Sequence, residues 1–227
     1  MFGRILTRLS AAFRKGAVFF AAVILGTGLS SCFGLKADIS VKADGSGRIA
    51  LEYRVAGELD SLGRLDGNRR WETIPTGRAD FERTMSRLPR LKLRSFSRKE
   101  EGGDLINRAL IDFAGLEDLL PLLDAGGEDA VLDKRGNKTR LLLRLTRGAK
   151  LSAETLALLE SVFPGRGLEL NFKVPAEGEL SLLDREGTPA GEIEGAVLVN
   201  RGKELSFSIP LSRLLSLEKG LSVEALW

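Results

Sequence analysis

The chain has 227 residues, 43% hydrophobic and 29% charged, a balance that supports a buried core and excludes both a disordered chain and a polytopic membrane protein. It contains no histidine and one cysteine, so the commonest general base and zinc ligand are missing and no disulfide can form within it. The formal charge of +3 is carried by the N-terminus: Arg4, Arg8, Arg14 and Lys15 stand there without an acid, and 34 bases less these four leave 30 against 31 acids, a formal charge of −1. An argument from net charge for a nucleic-acid partner therefore disappears with the first 31 residues.

In chain order, residues 1–15 form a cationic segment and residues 16–29, "GAVFFAAVILGTGL", an uncharged apolar run. That run matches the length of a signal peptide, whereas a spanning helix needs about 20 apolar residues, and no later segment approaches this. Leu29, Ser30, Ser31 and Cys32 follow, and Cys32 is the single cysteine. This segment resembles a bacterial lipobox, in which leucine three positions before the cysteine is followed by small residues; the position before the cysteine, usually Gly or Ala, is here Ser31. The resemblance implies removal of residues 1–31 and a diacylglycerol thioether on Cys32. Residues 32–34 would then be a lipidated tether and 35–227 a single domain, with a possible subdivision near 175. Acyl chains contribute about 0.8 kcal/mol per buried methylene, so such a protein is held at a membrane without a spanning helix.

From Leu35 the hydrophobic period is two. Ala37, Ile39 and Val41 alternate with polar residues, "DGSG" at 44–47 turns the chain, and Ile49, Leu51, Tyr53 and Val55 alternate again, which predicts a hairpin with one buried face. Phe81, Met85 and Leu88 predict a short amphipathic helix over 78–88, stopped by Pro89. Leu91 and Leu93, the turn "EEGGD", then Ala109, Ile111 and Phe113 predict a second hairpin. "GLEDLLPLLDA" from Gly115 predicts a short helix that Pro121 kinks or shortens.

A third hairpin is expected from 130–134 and 138–146. Ser152 is placed to cap a helix over 153–163, and Leu168, Leu170, Phe172 and Val174 form a following strand. Beyond residue 175 the pattern is less regular, with strands expected at 195–200, 204–209 and 221–227, a helical turn over 211–217, and Trp227 closing the core. Hairpins with one apolar face interleaved with amphipathic helices predict an α+β fold: a twisted antiparallel sheet with short helices packed on one face.

"ISVKADGSGRIALEYRV", "IDFAGLEDL" and "LNFKVP", together with the short spacer after Cys32, resemble the extracytoplasmic domain of LppM-like bacterial lipoproteins. That resemblance implies handling of envelope lipid or glycolipid. The family commonly adds a C-terminal membrane helix, for which this sequence has no apolar segment.

Residues 83–99 carry seven cations and no acid. Strand alternation puts Arg90, Lys92 and Arg94 on one face opposite Leu91 and Leu93. Such a stripe reads first as the solvated side of a one-sided sheet, and second as a contact for anionic headgroups, where each cation is worth about 1 kcal/mol. Arg69, Arg70 and Trp71 read as the edge of the core rather than a cation–π site. "DGSG" reads as a turn rather than a calcium loop, since it lacks the alternating acids and the distal Glu. Asp112, Glu117 and Asp118 could form a carboxylate pair, but acids are also natural at a helix N-terminus.

Neither a nucleophile elbow, nor a zinc-protease helix, nor a phosphate loop is present. The expectation is therefore a non-enzymatic lipoprotein of the cell envelope, in the outer membrane where there is one, with no cofactor and no nucleic-acid partner. It is held to the membrane through lipid on Cys32 and binds a lipid, glycolipid or anionic envelope surface. The alternative is an assembly partner of other envelope proteins. A ligand binder should keep an apolar pocket, with the helices at 115–123 and 153–163 as its walls; an assembly module should pack that space shut and expose an apolar patch.

Overall fold

A computed structural model describes residues 34–56, 78–124, 128–162 and 165–227. The leader, the lipobox residues Leu29, Ser30 and Ser31 with Cys32, and Arg69, Arg70 and Trp71 lie outside the described residues.

The first hairpin joins β1 (Gly34–Val41) to β2 (Gly47–Ala56). Its register sets Ala37 against Leu51 and Ile39 against Ile49, so one period-two pattern is buried and the other faces out. The turn works as a turn: Asp44 accepts from the main chain and hydroxyl of Ser46 at 3.0 and 2.7 Å, and Gly45 takes φ +81°. A side chain at position 47 would strike the Ser40 carbonyl and the Phe113 ring, which is why glycine begins β2.

Helix α1 (Arg78–Arg87) leads to β3 (Leu91–Glu101) and β4 (Asp104–Phe113). Phe81 rests between Tyr53 and Phe96, with ring centroids 6.3 and 5.2 Å away, and fixes α1 over the sheet. Helix α2 (Leu116–Leu123) runs through Pro121 and stops two residues later; it buries Leu116, Leu119, Leu122 and Leu123. The chain continues through β5 (Ala130–Arg135), β6 (Lys138–Thr146), α3 (Ala153–Val162) and β7 (Gly167–Lys173). Ser152 caps α3 as predicted, accepting the Thr155 N–H at 3.2 Å. Last come β8 (Glu179–Leu183), β9 (Val197–Arg201), β10 (Glu204–Pro210), α4 (Leu211–Ser216) and β11 (Leu221–Leu226).

The fold is α+β, with eleven strands and four short helices among the described residues. Three features differ from a single antiparallel sheet. The strands divide into a seven-stranded sheet, β3-β4-β2-β1-β7-β10-β9, and a four-stranded one, β5-β6-β11-β8. In the larger sheet β1 and β7 run parallel, with Leu35 beside Leu168 and Ile39 beside Phe172. Strand β8 was not predicted. Alternation tells which side of a strand is apolar but not which strand lies beside it. The third hairpin, alike in pattern to the first two, therefore pairs with β11 at the far end of the chain.

The inner faces of both sheets and the apolar sides of α1, α2 and α4 form one contiguous core. Trp227 is buried in it and exchanges main-chain hydrogen bonds with Thr139, so it closes the second sheet as expected. On the other side of that sheet the buried Glu224 is held by Arg140 and by Arg135 at 3.2 Å, which keeps its charge compensated.

Candidate functional site

Arg90, Lys92 and Arg94 are all exposed, with Leu91 buried and Leu93 half-buried between them, as alternation predicts, but the first and last are engaged by carboxylates. Arg90 precedes β3 and reaches Asp118 in the first turn of α2 at 3.1 Å. Arg94 is the extra residue of a β-bulge between Leu93 and Ser95, after which the inward position passes to Phe96. Arg94 and Arg48 share the carboxylate of Asp112, Arg48 at 2.8 Å. Their hydrogen bonds, first that of Arg48, hold the Asp112 carboxyl below its ordinary range. Lys92 is exposed, directly across from Asp112 on β4. Alternation gave the exposure of these side chains but not their carboxylate partners, which lie on α2 and β4.

The three acids of 112–118 are likewise separated in role. Asp112 belongs to the outer face of β4, while Asp118 accepts the Gly115 N–H at 2.8 Å and begins α2. Glu117 is exposed.

The outer face of the seven-stranded sheet continues as a set of ion pairs, between strands and along β2. Lys36 on β1 donates to Glu169 on β7 at 2.7 Å; Glu52 on β2 accepts from Arg108 at 2.7 Å and from Arg54 at 3.4 Å. The bond to Glu169 raises the Lys36 pKa, and the same bond, with a second from Asn171, lowers that of Glu169. Burial opposes ionisation of Glu52, yet Arg108 and Arg54 together hold its carboxyl below the ordinary value.

Where β1 begins, this face opens into a groove of about 760 Å³. Lys36, Glu52, Arg54 and Glu169 come from the strands, Glu160 from α3, and Arg166 from the segment before β7. Arg166 is itself fixed by Asp104, at 2.7 Å. Ser208, Ser212, four glycines and the apolar residues Leu35, Leu168, Ile209 and Pro210 complete the lining. Three cations and three acids among these side chains give no net formal charge, so the groove holds both donors and acceptors. The charged and hydroxyl groups of this lining suit a polar group that carries hydroxyl, phosphate or ammonium functions.

The two helices expected as cavity walls differ. Four of the five leucines of α2, Leu116, Leu119, Leu122 and Leu123, are packed into the core, at most 4% exposed, whereas α3 contributes Glu160 to the groove. None of the groove side chains stood out in the sequence. Lys36, Glu52, Arg54 and Glu169 occupy ordinary outward positions of three strands, and only the β1–β7 pairing brings them together.

Among the described residues no helix is long and apolar enough to cross a membrane, and no three acidic, histidine or cysteine side chains are arranged to hold a metal ion. No protein-family model matches the chain, and no curated protein matches it in sequence.

Proposed function

We propose that this chain is a lipid-anchored envelope protein that binds the polar headgroup of a membrane lipid or glycolipid, without chemistry, in the groove at the start of β1. The observation that carries this reading is position: Gly34 lines the groove and is two residues from Cys32. Two residues of extended chain span at most about 7 Å. An acylated Cys32 would therefore hold the groove at the level of the headgroups, where a neutral lining of paired donors and acceptors meets hydroxyls and phosphates. Arg90, Lys92 and Arg94 are not among the residues that line this groove, so the reading does not rest on them.

The assembly alternative is favoured by a different observation. Val197 and Leu198 are exposed on β9, at the open edge of the larger sheet.

Two measurements on the full chain, expressed in bacteria and extracted in mild detergent, separate anchor from groove. Palmitate labelling should mark the wild-type protein and be lost in Cys32→Ser. Native mass spectrometry should retain a phospholipid or glycolipid adduct that Ser208→Trp, which fills the groove from an outward strand position, removes without removing the label. A labelled protein that carries no adduct would overturn the binding role and leave the anchor; an unlabelled one would overturn the anchor.

A further inference from the structure

Among the described residues the two sheets end in four edge strands, and three of them are guarded. Strand β3 carries Lys92, Arg94, Arg98, Lys99, Glu100 and Glu101 along eleven residues and is broken by its bulge. Strand β5 has Asp133, Lys134 and Arg135 in six residues, and its first N–H is taken by the carboxylate of Asp124. Strand β8 is covered by its own following turn, where Leu183 bridges to Pro189 and Ala190 donates to the Leu182 carbonyl at 2.9 Å. Bulges, charges and covering loops are the usual means by which a sheet avoids pairing with another chain.

Strand β9, "VLVNR", is the least protected: its single charge, Arg201, stands at its last position. It contains no proline, lysine or acid, its register with β10 is unbroken, and no strand among the described residues lies beyond it. Val197 is 56% and Leu198 38% exposed, two of the three large exposed hydrophobics among the described residues. The strand is also held stiff: the Asn200 amide exchanges two hydrogen bonds with the main chain of Leu180, at 2.8 and 3.1 Å.

We infer that β9 is a self-association edge, which pairs antiparallel with β9 of a second copy and joins two seven-stranded sheets into one. The sequence of the strand selects this occupant. Pairing about Leu198 sets Leu198 against itself and Val197 against Val199, so every exposed apolar side chain meets another. The flanks are opposite in charge: Glu192 and Glu194 precede the strand, and Arg201 and Lys203 end and follow it. A reversed second copy brings the basic end of each strand to the acidic end of the other. Glu194 already pairs with Arg213 at 2.7 Å but remains largely exposed, with room for a second cation. A parallel copy would place like charges together and is disfavoured.

The test is made on the full chain in detergent. Sedimentation should show a monomer–dimer equilibrium, and Val197→Lys, a change at an exposed position, should weaken the dimer about tenfold while leaving the far-ultraviolet circular dichroism unchanged. Leu198→Cys should cross-link to itself on mild oxidation, since directly opposed Cβ atoms lie about 4.5–5.5 Å apart, whereas Val131→Cys on β5 and the chain with its native Cys32 alone should not. A monomer at every concentration, or cross-linking as strong from Val131→Cys, would overturn the inference. So would a different envelope protein cross-linking at position 198 while two copies of this chain do not.

Discussion

Asp112 stands between two guanidinium groups on a face that water reaches, and that limits what the arrangement is worth. Arg48 and Arg94 are each about half exposed, at 53% and 50%, so solvent screens the pair and its contribution is about 0.5–1 kcal/mol. The folded protein holds this carboxyl below its ordinary value of 3.8, chiefly through the hydrogen bond from Arg48. A depressed folded pKa adds stability above the ordinary value, and that stability is lost as pH falls through the folded pKa. Asp112→Asn should therefore lower the urea midpoint at pH 7. The difference from wild type should close as the pH is taken below 3.8, and a gap that persists in acid would show that the charge is not the cause. At this scale the sequence was informative about orientation alone. Alternation assigned Lys36, Glu52 and Glu169 to outward positions, but the bonds among them depend on which strands are neighbours.

Among the elements, α2 and α3 show how one kind of leucine-rich pattern leads to unequal burial. Both were legible from local signals: an acid-rich first turn in α2 and a serine cap in α3. The stripe of α2 is driven into the core and Leu119 is fully enclosed, whereas Leu156 in α3 is only half-buried. Leu119→Ala should cost about 3 kcal/mol, because it removes buried area and leaves a cavity that rigid neighbours cannot fill; Leu156→Ala should cost about 1 kcal/mol. Denaturant midpoints at constant slope provide the comparison, and equal losses would mean that α3 is packed as tightly as α2. Hairpins were equally readable, since a turn and two alternating runs are contained within some twenty residues. Two features escaped. Strand β8 has only five residues, and the bulge at Arg94 leaves no mark in a pattern of alternating Leu and Lys or Arg.

For the molecule as a whole, two separate sheets share one core, and chain order does not respect the division. Strands β8 and β11 complete the smaller sheet while β9 and β10, between them in sequence, complete the larger. Neither sheet can lose its strands without opening the other, so unfolding should be a single transition. Trp227 reports on the smaller sheet and far-ultraviolet circular dichroism on both, so in a Trp71→Phe background, which leaves Trp227 as the only tryptophan, the two urea transitions should coincide. Separate midpoints would show independent units, with a boundary inside the segment that follows residue 175.

Composition and alternation by themselves settled the class of fold, the inward residues and most turns, because burial of one side of a strand is a local property that a few successive residues express. Tertiary structure decided everything that depends on adjacency across long stretches of chain. It decided the parallel meeting of β1 with β7 that forms the groove, the capture of Arg90 and Arg94 by carboxylates, and the bare edge at β9. The groove depends on strand partners more than a hundred residues apart, the two ion pairs on acids of other elements, and the edge on which strand is left last in a sheet; no periodicity within a strand records its neighbour.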